Sequence, residues 1–352
     1  MRHEPAGARR FEGEGEEGAD AEEDDMVPGH PVIVIANRRR SMAAWLRGAG
    51  GLLALVAAAP ALGAEGDPSS QPTPAERMAA FRRMVDPPIV LRRAGAEEVE
   101  VVLDQAYSSP GGAKLLADVY RPRGLAAGAR LPAVLLLHGG VPDEVPYRPK
   151  DWGVYRSWGR LLGASGLVGI AFNQRVSSPD PKLALARQDL EAMLGWLRDN
   201  AGSLHVDPDR VCLASFSAGG PLLASFISSP RTSVRCLVAF YSYLDVRQSE
   251  QHRAFMRPAE LEAFSPAAQL AAGAARMPPL LVARGGKDDV GTVLASEDRF
   301  IAEAIRTNAP VEILNHPTAP HGFDNRLDDA RSRAIVSRAV AFMREALGLE
   351  AS

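Results

Sequence analysis

Residues 210–220 read RVCLASFSAGG, and this run decides the fold. Its first half is a continuous apolar stretch, as in a strand buried on both faces. Its second half is made of small residues, and a helical pattern follows from Ala218 to Ser228. A strand, a sharp turn and a helix around Ala214-Ser215-Phe216-Ser217-Ala218-Gly219-Gly220 match the nucleophile elbow G-x-S-x-G, with Ser215 in place of the first glycine. Such a turn holds its serine in a strained conformation, so the residues two positions away must be small; Ser215 and Gly219 are. Ser217 is then the candidate nucleophile, and the Ala218 amide opens a helix whose dipole and free N–H groups favour an anion.

Working outward, the same apolar run recurs at 132–137, 167–172, 233–240, 279–283 and 311–315. Helical spacing lies between these runs, at 155–164, 181–200, 259–272, 296–308 and 328–347. Before them, 98–103 and 114–120 read as an antiparallel pair joined by the turn-rich SSPGG. Strands alternating with helices through short connections predict an α/β fold, a mostly parallel sheet covered on both faces. Sites in such sheets form at the carboxyl ends of the strands.

Three more strand-end loops then carry candidates. After 132–137 comes His138-Gly139-Gly140-Val141, whose Gly140 or Val141 amide would face that of Ala218 across an oxyanion hole. His138 reads as a bracing residue of that loop. After 279–283 comes Gly285-Gly286-Lys287-Asp288-Asp289; an acid is expected here, Asp288 first and Asp289 second. After 311–315 comes His316-Pro317-Thr318-Ala319-Pro320-His321-Gly322-Phe323-Asp324, where His321, deeper in the loop, is favoured over His316 as the base. His205 and His252 read as ordinary surface or packing residues. The order Ser217, Asp288, His321 is nucleophile, acid, base.

The segments DVYRP (118–122), LPAVLLLHGG (131–140), RVCLASFSAGG (210–220), PPLLVARGGKDD (278–289) and HPTAPHGFD (316–324) resemble the α/β-hydrolases, specifically their dienelactone-hydrolase and carboxylesterase-like branch. The resemblance covers about 98–347 and implies an eight-stranded, mostly parallel sheet and ester hydrolysis through an acyl-enzyme. Two positions depart from the pattern: Ser217 stands where true dienelactone hydrolases carry cysteine, and Ser215 replaces the elbow glycine. The expected activity is that of a serine esterase acting on a small-molecule ester. The alternatives are a catalytically silent binding protein, a peptidase or a thioesterase of the same fold.

The rest of the chain sets limits. Of 352 residues, 46% are hydrophobic and 24% charged, and the net charge of −3 offers no positive field for nucleic acid. Residues 11–25, FEGEGEEGADAEEDD, cannot bury enough apolar surface to order, so 1–41 reads as a disordered acidic leader. Arg38-Arg39-Arg40 followed by a short apolar, Gly/Ala-rich stretch predicts a signal peptide over 42–64, with translation starting at Met26 or Met42. That apolar stretch is short for a membrane span, so a periplasmic or secreted protein is expected. Removing 1–64 takes away 7 basic and 10 acidic residues and leaves 33 of each. Residues 65–97 read as a lead-in segment and 98–350 as the hydrolase domain. Cys212 and Cys236, both in apolar runs, read as buried free thiols. No metal cluster or phosphate loop is seen, so no cofactor is expected. The insertions at 141–158 and 241–265 carry aromatics that suit either a substrate pocket or a cover for the sheet.

Overall fold

A computed structural model describes residues 73–142, 145, 148–273 and 276–350. The expected leader, the expected signal peptide and the start of the lead-in segment lie outside the described residues. Ten strands are formed: β1 Glu100–Ser108, β2 Leu115–Arg121, β3 Leu131–Leu137, β4 Val141–Pro142, β5 Val168–Phe172, β6 Ser177–Ser178, β7 Val206–Phe216, β8 Val234–Phe240, β9 Leu280–Gly285 and β10 Val311–His316. The helices are α1 Pro74–Val85, α2 Gly153–Ala164, α3 Leu183–Asp199, α4 Ala201–Leu204, α5 Ala224–Ser228, α6 Glu250–Phe255, α7 Pro258–Ala263, α8 Pro266–Ala271, α9 Val293–Arg306, α10 Phe323–Arg326 and α11 Ala330–Ala346.

Eight strands form one sheet in the order β1-β2-β5-β3-β7-β8-β9-β10. β1 and β2 are antiparallel to each other, β2 is antiparallel to β5, and all pairings beyond are parallel. Each strand alternates its side chains between two apolar layers, because the side-chain period of a strand is two. In β3, Ala133, Leu135 and Leu137 join a layer with α3, α8 and α9, while Val134 and Leu136 join one with α1, α2 and α11. Both faces are therefore dry, which explains the unbroken apolar runs.

Local chemistry explains where the helices differ from expectation. The 259–272 stretch is two helices, α7 and α8, because Pro266 disfavours helical backbone at Ser265. The 218–228 stretch begins as a 3₁₀ segment, Ser217–Leu223, with Pro221 inside it, before α5 takes over. Proline supplies no N–H for the longer-range helical bond. α1 starts with a capping box: Thr73 Oγ1 accepts from the Glu76 amide at 3.3 Å, and the Glu76 carboxylate accepts from the Thr73 amide at 2.7 Å.

The reading of Cys212 and Cys236 as free thiols is corrected. The two are joined in a disulfide, Cα to Cα 4.7 Å apart, and both are fully buried. Val211 pairs with Val234, but the next pair is Cys212 with Cys236, because a register shift skips Arg235. That one-residue irregularity puts the two sulfurs on the same face of neighbouring strands.

Among the described residues, no helix is long and apolar enough to cross a membrane. None of their His, Cys, Asp and Glu side chains cluster as a metal site would require.

Candidate active site

The 3₁₀ turn after β7 places Ser217 at φ +52°, a left-handed conformation that costs a non-glycine residue on the order of 1–3 kcal/mol. Such strain persists only where the surroundings enforce it. Here the turn is pressed against the neighbouring strand end: a Cβ on Gly219 would lie 2.5 Å from the Leu137 carbonyl oxygen, so only glycine fits. Ser215, at the other end of the elbow, is accommodated by donating its hydroxyl to the Val238 carbonyl at 3.1 Å.

The three strand-end candidates come together. His321 Nε2 lies 3.0 Å from Ser217 Oγ, and His321 Nδ1 lies 2.7 Å from Asp288 Oδ2. The second carboxylate oxygen of Asp288 accepts from the Val290 amide at 2.9 Å, which fixes its orientation. Asp289 is exposed. His316 stands apart, with Nε2 3.1 Å from Asp329. His205 and His252 are likewise elsewhere, the first against the Ala129 carbonyl and the second against Ser249.

The amides around the glycine loop separate the two alternatives for the second anion donor. The Val141 amide is spent on the Val176 carbonyl at 3.2 Å, in the small pairing of β4 with β6, so Val141 is set aside as a donor. The Gly139 amide donates to the Tyr155 hydroxyl at 2.9 Å. The Gly140 amide has no protein acceptor among the described residues. A Cβ on Gly140 would sit 3.5 Å from that of Ala218, so the two residues face each other. The Ala218 amide is in the first turn of its helix and has no intrahelical acceptor. His138 is tied into this loop: Nδ1–H donates to the Gly139 carbonyl at 2.6 Å, and Nε2 accepts from the Gln174 amide at 3.1 Å. Burial lowers its imidazole to about 4, so it stays neutral.

Two groups beneath His321 take places that the sequence did not announce: Tyr241 was expected only as a pocket or cover aromatic, and Asp324 was given no role. Tyr241, just after β8, packs its ring edge-on at 4.6 Å from the His321 ring. Its hydroxyl donates to Asp324 Oδ1 at 2.8 Å, and Trp158 Nε1 donates to Asp324 Oδ2 at 2.8 Å. Asp324 is fully buried, and burial raises its carboxyl above the usual range. The signal was present in the string HGFD, three residues after His321.

Above Ser217 lies a cavity of about 50 Å³. Its floor is Trp152, Tyr155, Phe216 and Tyr241, and its opposite wall is Phe81, Met84 and Val85 of α1. The insertion at 141–158 thus supplies Trp152 and Tyr155. Its base is pinned by Lys150, whose buried Nζ lies 2.9 Å from the buried Asp118 carboxylate. The insertion at 241–265 supplies only Tyr241; Phe264 is in the core, Tyr243 packs against His252, and Phe255 is exposed. That α1 walls the site was not legible, since residues 65–97 read only as a lead-in segment.

Comparison with known proteins follows the geometry. A family model described as alpha/beta hydrolase fold matches residues 160–325, which include Ser217, Asp288 and His321. Esterase LipQ of Mycobacterium tuberculosis is 26% identical over 261 residues, covering 66% of this chain and 60% of that protein. The 5-methylorsellinic acid synthase of Aspergillus terreus is 28% identical over 155 residues, covering 40% of this chain and 6% of that protein. The chain therefore spans less than two thirds of the length of either curated relative. Among solved structures, the apo form of esterase 2 from Thermogutta terrifontis superposes with TM-score 0.58 at 22% identity, covering 72% of this chain and 96% of that one.

Proposed function

We propose, from the premise that this chain has the α/β-hydrolase fold and is similar to esterases, that it is a serine hydrolase of carboxylic esters. The observation that carries the proposal is the contact of Ser217 Oγ with His321 Nε2 at 3.0 Å, backed by Asp288 at 2.7 Å. His321 takes the Ser217 proton as Oγ attacks the ester carbonyl. Asp288 holds the imidazole with Nδ1–H toward itself and stabilises the imidazolium that forms. The developing oxyanion is met by the Gly140 and Ala218 amides. Collapse expels the alcohol, which takes the proton from His321. Water, deprotonated by the same imidazole, then attacks the acyl-Ser217 ester, and the carboxylic acid leaves.

Serine directs this reading toward simple carboxylic esters rather than the cysteine-dependent dienelactone reaction. We also propose that the protein is exported to the periplasm or beyond, on the pattern of residues 42–64; the buried disulfide suits an oxidising compartment. N-terminal sequencing of the native protein tests this, and a mature chain beginning before residue 42 overturns it.

The test of the activity is covalent labelling with a fluorophosphonate, together with turnover of p-nitrophenyl esters. Label on Ser217 and a loss of roughly 10⁴- to 10⁶-fold in kcat for Ser217→Ala are expected. A folded protein that neither labels nor turns over is a silent binding module, and the proposal fails.

A further inference from the structure

Resting on that reading, we infer that α1 sets an upper limit on acyl length: the site takes esters of short, uncharged, apolar carboxylic acids, with Phe81 and Met84 as the residues that impose the limit. The cavity over Ser217 holds about 50 Å³. That is space for only a few water molecules, at about 10–15 Å³ for each.

Its lining rejects charge. Among the described residues, no Asp, Glu, Lys or Arg side chain faces it. The Tyr241 hydroxyl is committed to Asp324, and the Tyr155 hydroxyl accepts from the Gly139 amide. The Asn325 side-chain amide is committed as well, donating to the Met84 carbonyl at 2.8 Å and the Pro87 carbonyl at 3.3 Å. A terminal carboxylate on the acyl group would be stripped of water with no cationic partner among the described residues, which is unfavourable.

The wall is also fixed. Phe81 stacks edge-on to Trp152 at 5.0 Å. Beyond α1, the Ile89 amide donates to Ser157 Oγ at 2.9 Å and the Val90 amide to the Asp324 carbonyl at 2.7 Å. The end of α1 rests on the first turn of α2 so closely that a Cβ on Gly153 would overlap the Asp86 carbonyl. A wall tied at four places does not yield to a longer chain. The cavity suits the acyl group rather than the alcohol, because the acyl group stays bonded to Ser217 between the two half-reactions while the alcohol must leave for solvent.

The experiment compares kcat/KM for p-nitrophenyl acetate, butyrate and octanoate, for the p-nitrophenyl half-ester of succinate, and for methyl through octyl acetates. These are measured on the full chain and on Phe81→Ala and Met84→Ala, each checked for folding by fluorophosphonate labelling of Ser217. Phe81→Leu is the milder variant if Phe81→Ala does not label. Expected are an octanoate rate at least about 10-fold below acetate, succinate half-ester below butyrate, and a rise of about 10-fold in the octanoate-to-acetate ratio on removing Phe81 or Met84. Octanoate cleaved as fast as acetate, a ratio unmoved in both variants, or a shift confined to the alkyl acetates overturns the inference while leaving the esterase reading intact. Absence of both hydrolysis and labelling in the parent overturns both.

Discussion

Tyr241 donates its hydroxyl to the buried carboxylate of Asp324 at 2.8 Å while its ring sits 4.6 Å from the ring of His321. His321, the proposed base, is therefore seated on an aromatic side chain that is itself anchored by a buried acid. Trp158 makes a second anchor from α2 at 2.8 Å. Asp324→Asn keeps the shape but leaves one of the two donors facing an N–H₂ group. The expected outcome is a fall of about 10-fold in kcat with KM little changed, and a loss of about 1–3 kcal/mol in stability, since an unmet buried donor costs that much. Steady-state kinetics with p-nitrophenyl acetate and a denaturant titration check it; parental kcat and midpoint would show that Asp324 does not support His321.

Asp288 and Asp289 are adjacent but differ in setting, the first hydrogen-bonded to His321 and the second exposed. Asp288→Asn removes the acceptor that holds His321 in its working tautomer, and a drop of about 10⁴-fold in kcat is expected. Asp289→Asn, at an exposed position, is expected to stay near parental activity. Equal losses in the two variants, or the larger loss at Asp289, would reassign the acid.

His252 is buried against Ser249 and Tyr243, and burial lowers its imidazole to about 4. In the unfolded chain it titrates near 6.5, so its neutral burial is fully compatible with folding above that pH. As pH falls from 6.5 toward 4, the unfolded state binds a proton that the folded state does not, and stability is lost. His252→Gln lacks that response. The stability gap between the parent and His252→Gln should therefore narrow by about 1.4 kcal/mol per pH unit across this window. Chemical denaturation at several pH values measures it; a gap independent of pH would mean that His252 is accessible to protons when folded.

The Cys212–Cys236 bond closes a loop of 24 residues across the two strands that lead to Ser217 and Tyr241. Thiol labelling of the unreduced, denatured protein is expected to find no free thiol, and labelling after reduction to find both. Reduction should lower stability by about 3 kcal/mol on the loop-entropy account. Two labelled thiols without reductant would leave the strands unbridged.

Much of the sheet could be read directly, because strands buried on both faces must be apolar throughout and the turns between them must be small. Ser217, Asp288 and His321 follow from that, since each is the polar residue a strand end delivers. The parts that escaped depend on register and long-range packing. Cys212 meets Cys236 only because the ladder skips Arg235. The Val141 amide is consumed by a two-residue pairing with β6, too short to leave a pattern. Asn325 reaches the Met84 carbonyl across 241 positions of sequence, and nothing local in either residue announces the other.

The wall formed by α1 has a consequence for kinship. The matched span 160–325 contains the three reacting side chains, but Phe81, Met84 and the Gly139–Gly140 loop precede it. The proposed triad and the α1 wall thus lie in different stretches of the chain and are free to diverge at different rates. Two relatives that align well over 160–325 can share the three residues without sharing the wall. Grafting residues 73–97 from one relative onto another should transfer preference while leaving the cutting apparatus untouched.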